Sequence, residues 1–218
     1  MGREFVVVIV AILWFLSISS GCLAKEDSSS TAIAFVDKIC NDATYKNLCL
    51  DTLVPYADRI GGVAKKATRL AITRTVEEVQ SMLSELNSLS NPPKYWHREV
   101  TAFVRCSETI SRAGVDLFSA LEVTNHLGGG DKAAKETKRL RMENNVKSVI
   151  NDTQTCMDFL RNSKAGNNII NILQYNMKPI VQLATNAIDL IHHLHGGAVA
   201  VSSATAGGVG AAAAEAPK

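Results

Sequence analysis

From Ile72 to Leu194 the apolar residues of this chain recur in steps of three and four. One stripe runs Ile72, Val76, Val79, Leu83, Leu86, and a second runs Phe103, Ile110, Gly114, Leu117, Leu121. A third runs Val146, Val149, Ile150, Thr153, Met157, Leu160, and the last runs Ile169, Ile172, Leu173, Ile180, Leu183, Ala187, Ile191, Leu194. Such spacing lines one face of a helix, and the alternation of a half-buried strand is missing from it. Asn91-Pro92-Pro93 closes the first long helix, Gly128-Gly129-Gly130 the second, and residues 163–168, with Gly166, the third. Four long helices with short connections predict an all-α, antiparallel up-and-down four-helix bundle. Residues 32–40, residues 45–53 and a segment near Pro55 read as short helices, so a helical hairpin precedes the bundle.

The two ends differ from this core. Arg3 precedes an apolar run over residues 5–16, and small residues lead to Leu23-Ala24. Residues 1–24 therefore read as a signal peptide cut after Ala24, because the apolar run is much shorter than the roughly 20 residues that span a bilayer. Residues 25–31 form a polar, serine-rich lead-in, and residues 196–218 an Ala/Gly/Ser tail without large apolar groups. Both are expected to be disordered. The folded domain is then residues 32–195, secreted and with no membrane attachment once the signal is gone.

Cleavage removes Cys22 and leaves Cys40, Cys49, Cys106 and Cys156, an even number that suits an oxidising compartment. Cys106 lies 22 residues before Gly128 and Cys156 lies 26 after Gly130, which puts them at similar heights on neighbouring antiparallel helices. Cys40 and Cys49 flank the turn of the hairpin. Two disulfides, Cys40 to Cys49 and Cys106 to Cys156, are expected. Zinc is disfavoured, because the cysteines lack the short paired spacing of structural zinc ligands.

Charge narrows the partners. The formal net charge is +2, and losing Arg3 and Glu4 with the signal leaves it unchanged. So balanced a chain predicts no nucleic-acid partner and at most weak attraction to a polyanionic matrix. No glycine-rich phosphate loop, Gly-x-Ser-x-Gly elbow or His-Glu-x-x-His motif occurs, so neither an enzyme nor a cofactor is implied. His192, His193 and His195 cluster near the end of the last helix, where imidazoles are favourable partners of the helix dipole rather than metal ligands. Glu77, Glu78 and Glu85 read as an outward face. Asn151-Asp152-Thr153 is an Asn-x-Thr sequon, which makes Asn151 a candidate glycan acceptor.

Four runs carry a resemblance. They are Thr44-Tyr45-Lys46-Asn47-Leu48-Cys49 with Pro55-Tyr56-Ala57 following, Cys106-Ser107-Glu108, Thr155-Cys156-Met157-Asp158, and Leu183-Ala184-Thr185-Asn186-Ala187-Ile188. Together they resemble the plant invertase and pectin methylesterase inhibitor family over residues 32–194. The resemblance implies the same bundle and hairpin, bridges joining first to second and third to fourth cysteine, secretion to the plant cell wall (the apoplast), and reversible inhibition of a carbohydrate-active enzyme without chemistry of its own. The Thr155 to Asp158 and Leu183 to Ile188 motifs are similar to the pectin methylesterase branch. The Pro-Lys-Phe motif of invertase inhibitors is missing ahead of Cys156.

Pectin methylesterase is thus the expected partner, with acid invertase as the alternative target and a non-inhibitory structural bundle as the alternative role. Residues expected at the contact are Glu108, Arg112, Thr155 and Asp158, with Glu108 and Asp158 held near one another by the bridge and Arg112 able to pair with Glu108. The chain departs from the family pattern at Lys46, where a proline is usual, at Ile110, where an aromatic is usual, and at Arg112, where an acid is usual. The usual tryptophan is also missing, with residues 145–151 in its place.

Overall fold

A computed structural model describes residues 23–90, 97–163 and 167–194. Residues 1–22 of the expected 1–24 signal peptide, the Asn91-Pro92-Pro93 break, Gly166, His195 and the tail of residues 196–218 lie outside the described residues. In chain order the elements are α1 (Leu23–Asn41), α2 (Lys46–Leu53), a 3-10 turn (Val54–Tyr56), α3 (Ala57–Ile60), α4 (Ala64–Ser90), α5 (His97–Asn125), α6 (Lys132–Asn162) and α7 (Asn167–His193). Among the described residues there is no strand.

Each long helix packs on the next, and α7 packs back on α4, so the four stand at the corners of a square. Their direction follows from which residues meet. Cys106 is bonded to Cys156, Arg112 reaches Asp152, and Asp116 meets Ser148, so contacts that advance along α5 retreat along α6. The pairs Arg69 with Asn125 and Asn87 with Ser107 make α4 and α5 antiparallel in the same way. Thr68 with Leu190 and Glu85 with Asn176 do so for α4 and α7. The bundle is therefore up-and-down, as the apolar periodicity predicts.

The core follows the predicted stripes with small shifts of register. Ile72, Val79 and Leu86 on α4, Phe103, Ile110 and Leu117 on α5, and Val146, Val149 and Leu160 on α6 are fully enclosed. Burying one such side chain contributes about 1.5–3 kcal/mol. Met82 rather than Leu83 completes the α4 stripe. Ile172 does not join the core: it is 55% exposed, while Leu173, one residue and about 100° further round α7, is enclosed. Thr68, Thr75 and Thr153 are buried because each hydroxyl donates to the carbonyl four residues back, at 3.0, 3.0 and 2.7 Å.

One expectation is corrected. Residues 25–31 are helical rather than disordered, since α1 begins at Leu23 and runs through them. Phe35, Val36, Ile39 and Cys40 anchor the helix by burial. Extending an existing helix over the polar residues ahead costs little, because the unfavourable step is nucleation. No helix among the described residues is long and apolar enough to cross a membrane.

Candidate functional site

Three arrangements stand out from the packing, and each involves residues singled out in the sequence. The first joins the hairpin to the bundle. Cys40 and Cys49 are bonded with their Cα atoms 5.6 Å apart, closing α1 onto α2. Tyr45 occupies the N-cap position of α2 but gives it no side-chain hydrogen bond. The turn is held by α7 instead. Thr44 N–H donates to Asp189 Oδ2 at 2.8 Å, Tyr45 N–H donates to Asn186 Oδ1 at 2.9 Å, and Asn186 Nδ2 donates back to the Tyr45 carbonyl at 3.0 Å. The Thr-Tyr run and the Leu183 to Ile188 run, far apart in sequence, are thus two halves of one joint.

The second is the outer face of α5 and its edge with α6, where the expected contact residues lie. The Cys106 and Cys156 Cα atoms are 4.3 Å apart. Glu108 and Asp158 are both exposed, each two residues beyond its bridged cysteine. Two residues turn a helix by about 200°, so each points away from the partner helix that its cysteine faces. Asp158 pairs instead with Arg161 at 3.1 Å on its own helix. Arg112 does not pair with Glu108 either: it reaches across to Asp152 on α6 at 3.4 Å. Burial is the main reason that the Asp152 carboxyl is pushed above the usual range; Asp116 adds to the rise and Arg112 opposes it. Asp116 in turn accepts a hydrogen bond from the Ser148 hydroxyl. Thr155 is half-buried, its hydroxyl donating to the Asn151 carbonyl at 2.9 Å.

The sequence reading missed what surrounds Glu108. Val104, Glu108, Ser111, Val115, Phe118 and Glu122 follow one another in alternating steps of four and three and are all exposed, so they line a single outward face of α5. Val115 is 62% and Phe118 54% exposed. The signal was present as two large apolar residues lying off the core stripe of Ile110, Gly114, Leu117 and Leu121.

The third arrangement was also missed. Glu143 on α6 is buried and accepts hydrogen bonds from Lys147 at 2.6 Å and Arg139 at 2.6 Å, with His192 of α7 at 3.3 Å. The Lys147 bond chiefly, then those of His192 and Arg139, hold its carboxyl down at about 2 against the cost of burial. A carboxylate so stabilised is a poor proton acceptor, and its effect is to tie α6 to the end of α7. His193 stands 4.0 Å from Asp42. Among the described residues no three His, Cys, Asp or Glu side chains are placed to hold a metal ion.

Fold and surfaces together define a doubly stapled four-helix bundle with a clamped N-terminal hairpin. The chain belongs to the plant invertase/pectin methylesterase inhibitor family, whose model matches residues 34–190. Pectinesterase inhibitor 10 of Arabidopsis thaliana is 24% identical over 165 residues, covering 76% of this chain and 52% of that protein, so the chain spans about half of its length. Pectinesterase inhibitor 9 of Arabidopsis thaliana is 25% identical over 196 residues, covering 86% of this chain and 91% of that one. In fold the chain is similar to the crystal structure of mutant form A of a pectin methylesterase inhibitor from Arabidopsis, with a TM-score of 0.54 and 17% identity over 71% of this chain and 93% of the other. A second crystal structure of a pectin methylesterase inhibitor, from Arabidopsis thaliana, gives a TM-score of 0.51 at 18% identity over 73% and 95%.

Proposed function

We propose that this protein is a secreted inhibitor of plant pectin methylesterase that blocks the enzyme's substrate cleft with the outward face of α5 and the adjoining edge of α6. The observation that carries this reading is the exposed Val115 and Phe118 pair set between Glu108 and Glu122 on one outward helix face of a bundle of an inhibitor family. Apolar side chains left in water at the centre of a rigid face gain by being covered, and charged residues at the rim choose the partner. Glu108 supplies that rim on α5, Asp158, paired with Arg161, and Thr155 extend the polar surface on α6, and the exposed Arg112 reaches across to Asp152 between the two helices. Inhibition by occupation needs no reactive group and no cofactor, so the protein is not an enzyme. Pectin methylesterase is favoured over acid invertase because the Thr155 to Asp158 and Leu183 to Ile188 motifs are similar to its branch and the Pro-Lys-Phe motif is missing.

Residues 1–24 direct the chain out of the cell, and two disulfides suit the oxidising compartment it enters, the plant apoplast. Asn151 is exposed on α6 and accepts a glycan before the bundle closes, because Thr153 of the sequon is buried once folded. Size-exclusion chromatography of the mature protein mixed with a plant pectin methylesterase tests the partner. A co-eluting complex supports this reading, and separate elution of both folded proteins contradicts it.

A further inference from the structure

The chain as a whole carries a formal charge of +2, yet residues 59–74 alone hold Arg59, Lys65, Lys66, Arg69 and Arg74 and no acidic residue. The fold concentrates these cations further. Gly61 and Gly62 adopt left-handed backbone conformations, with φ of 57° and 74°, which folds α3 back against the first turns of α4. Between them lies an open cleft of about 250 Å³ floored by Tyr56, Ile60 and Leu70 and rimmed by Arg59, Lys66 and Arg69.

Arg74 is spent on Glu77, and Arg69 donates to Asn125 and Thr124. Arg59 and Lys66 are exposed and form no ion pair with any described residue. A second cleft of about 250 Å³ includes Lys65 and Lys135 with Leu127 and Leu194. Lys65 and Lys66 are consecutive, so the two clefts adjoin across the start of α4.

We propose that these adjoining clefts bind the carboxylates of an acidic polysaccharide, a polyuronate, with a sugar ring over the apolar floor and its charge on Arg59 and Lys66. Two neighbouring cationic clefts fit a chain with a repeating charge better than a single small anion. The half-buried Leu70 offers an apolar surface that the face of a sugar ring covers and a bare phosphate does not. A nucleic acid is disfavoured, because the Tyr56 ring on which a base would stack already faces the guanidinium groups of Arg74 at 4.8 Å and Arg59 at 5.6 Å. The clefts and their charge stand independently, and only the choice of a uronate among anionic sugars rests on the inhibitor reading.

Isothermal titration of the mature protein with polygalacturonate tests this, with the fully methyl-esterified polymer and inorganic polyphosphate as comparison arms. Binding of polygalacturonate alone is expected, with a loss of about tenfold in Arg59→Gln/Lys66→Gln, the equivalent of about one strong charged contact. The control Arg141→Gln/Lys178→Gln removes the same charge from outside the clefts and should change affinity less than about twofold, since exposed charges at a distance are screened. Absence of binding, equal losses in both variants, or polyphosphate binding as tightly as polygalacturonate overturns the proposal. Arg59→Gln/Lys66→Gln should still form a complex with pectin methylesterase, so either reading can fail while the other stands.

Discussion

Asn186 and Tyr45 exchange two hydrogen bonds across 141 residues of sequence, the Tyr45 N–H and carbonyl both meeting one side-chain amide at 2.9 and 3.0 Å. Asn186 is only 2% exposed, so neither water nor another side chain replaces it readily. The hairpin is thereby fixed to the bundle by a polar joint as well as by apolar packing. Asn186→Ala should leave the Tyr45 N–H without its partner and cost about 2 kcal/mol. Hydrogen exchange should show the amides of Thr44 and Tyr45 losing protection while those at the centre of α5 keep theirs.

The two bridges should contribute unequally. The Cys106 to Cys156 bridge spans 50 residues and the Cys40 to Cys49 bridge nine. Loop-closure entropy assigns about 4 kcal/mol to the first and about 2.6 to the second. Urea unfolding of Cys106→Ser/Cys156→Ser and of Cys40→Ser/Cys49→Ser should therefore rank the long bridge as the costlier loss.

Acid should loosen the junction of α6 with α7. The folded carboxyl of Glu143 sits at about 2, below the ordinary 4.5. A lowered folded value means that the stabilisation is present above the unfolded pKa and is lost as pH falls toward 2. The contribution is on the order of 3 kcal/mol. Glu143→Gln should unfold more readily at neutral pH than the parent and show a flatter stability profile between about pH 5 and pH 2. An unchanged profile would mean that the pairs to Lys147, His192 and Arg139 carry no net weight.

On the α5 face, Phe118→Ala should weaken binding to pectin methylesterase by about 2 kcal/mol, roughly thirtyfold, as expected of an anchor near the centre of an interface. Glu108→Ala and Asp158→Ala, at the rim, should act mainly on the association rate and its salt dependence. All three positions are exposed, so thermal unfolding should be nearly unchanged. Surface plasmon resonance beside a melting curve separates the two effects.

The bundle was legible in the sequence because its signal is periodic: the stripes on four helices and the glycine break at residues 128–130 report geometry local to one helix, and the matching cysteine heights follow from the length of each helix. What stayed hidden depended on contacts between helices. Arg112 sits four residues from Glu108, which invites a pairing along α5, yet Asp152 on α6 takes the guanidinium. Glu143 falls among charged residues in sequence and reads as surface, and only the packing of α7 beside it makes it a buried ion-pair centre. For residues 25–31 composition points to disorder, yet serine-rich sequence says little about whether a neighbouring helix will propagate through it. Val115 and Phe118 needed the opposite inference, that apolar residues off the core stripe stay exposed.

The most direct measurement is an equilibrium inhibition titration of the mature protein against a plant pectin methylesterase, with acid invertase run in parallel. Saturable inhibition of the methylesterase approaching one inhibitor per enzyme, with the invertase unaffected, is the predicted result. Full methylesterase activity in the presence of excess folded, doubly disulfide-bonded protein would contradict it.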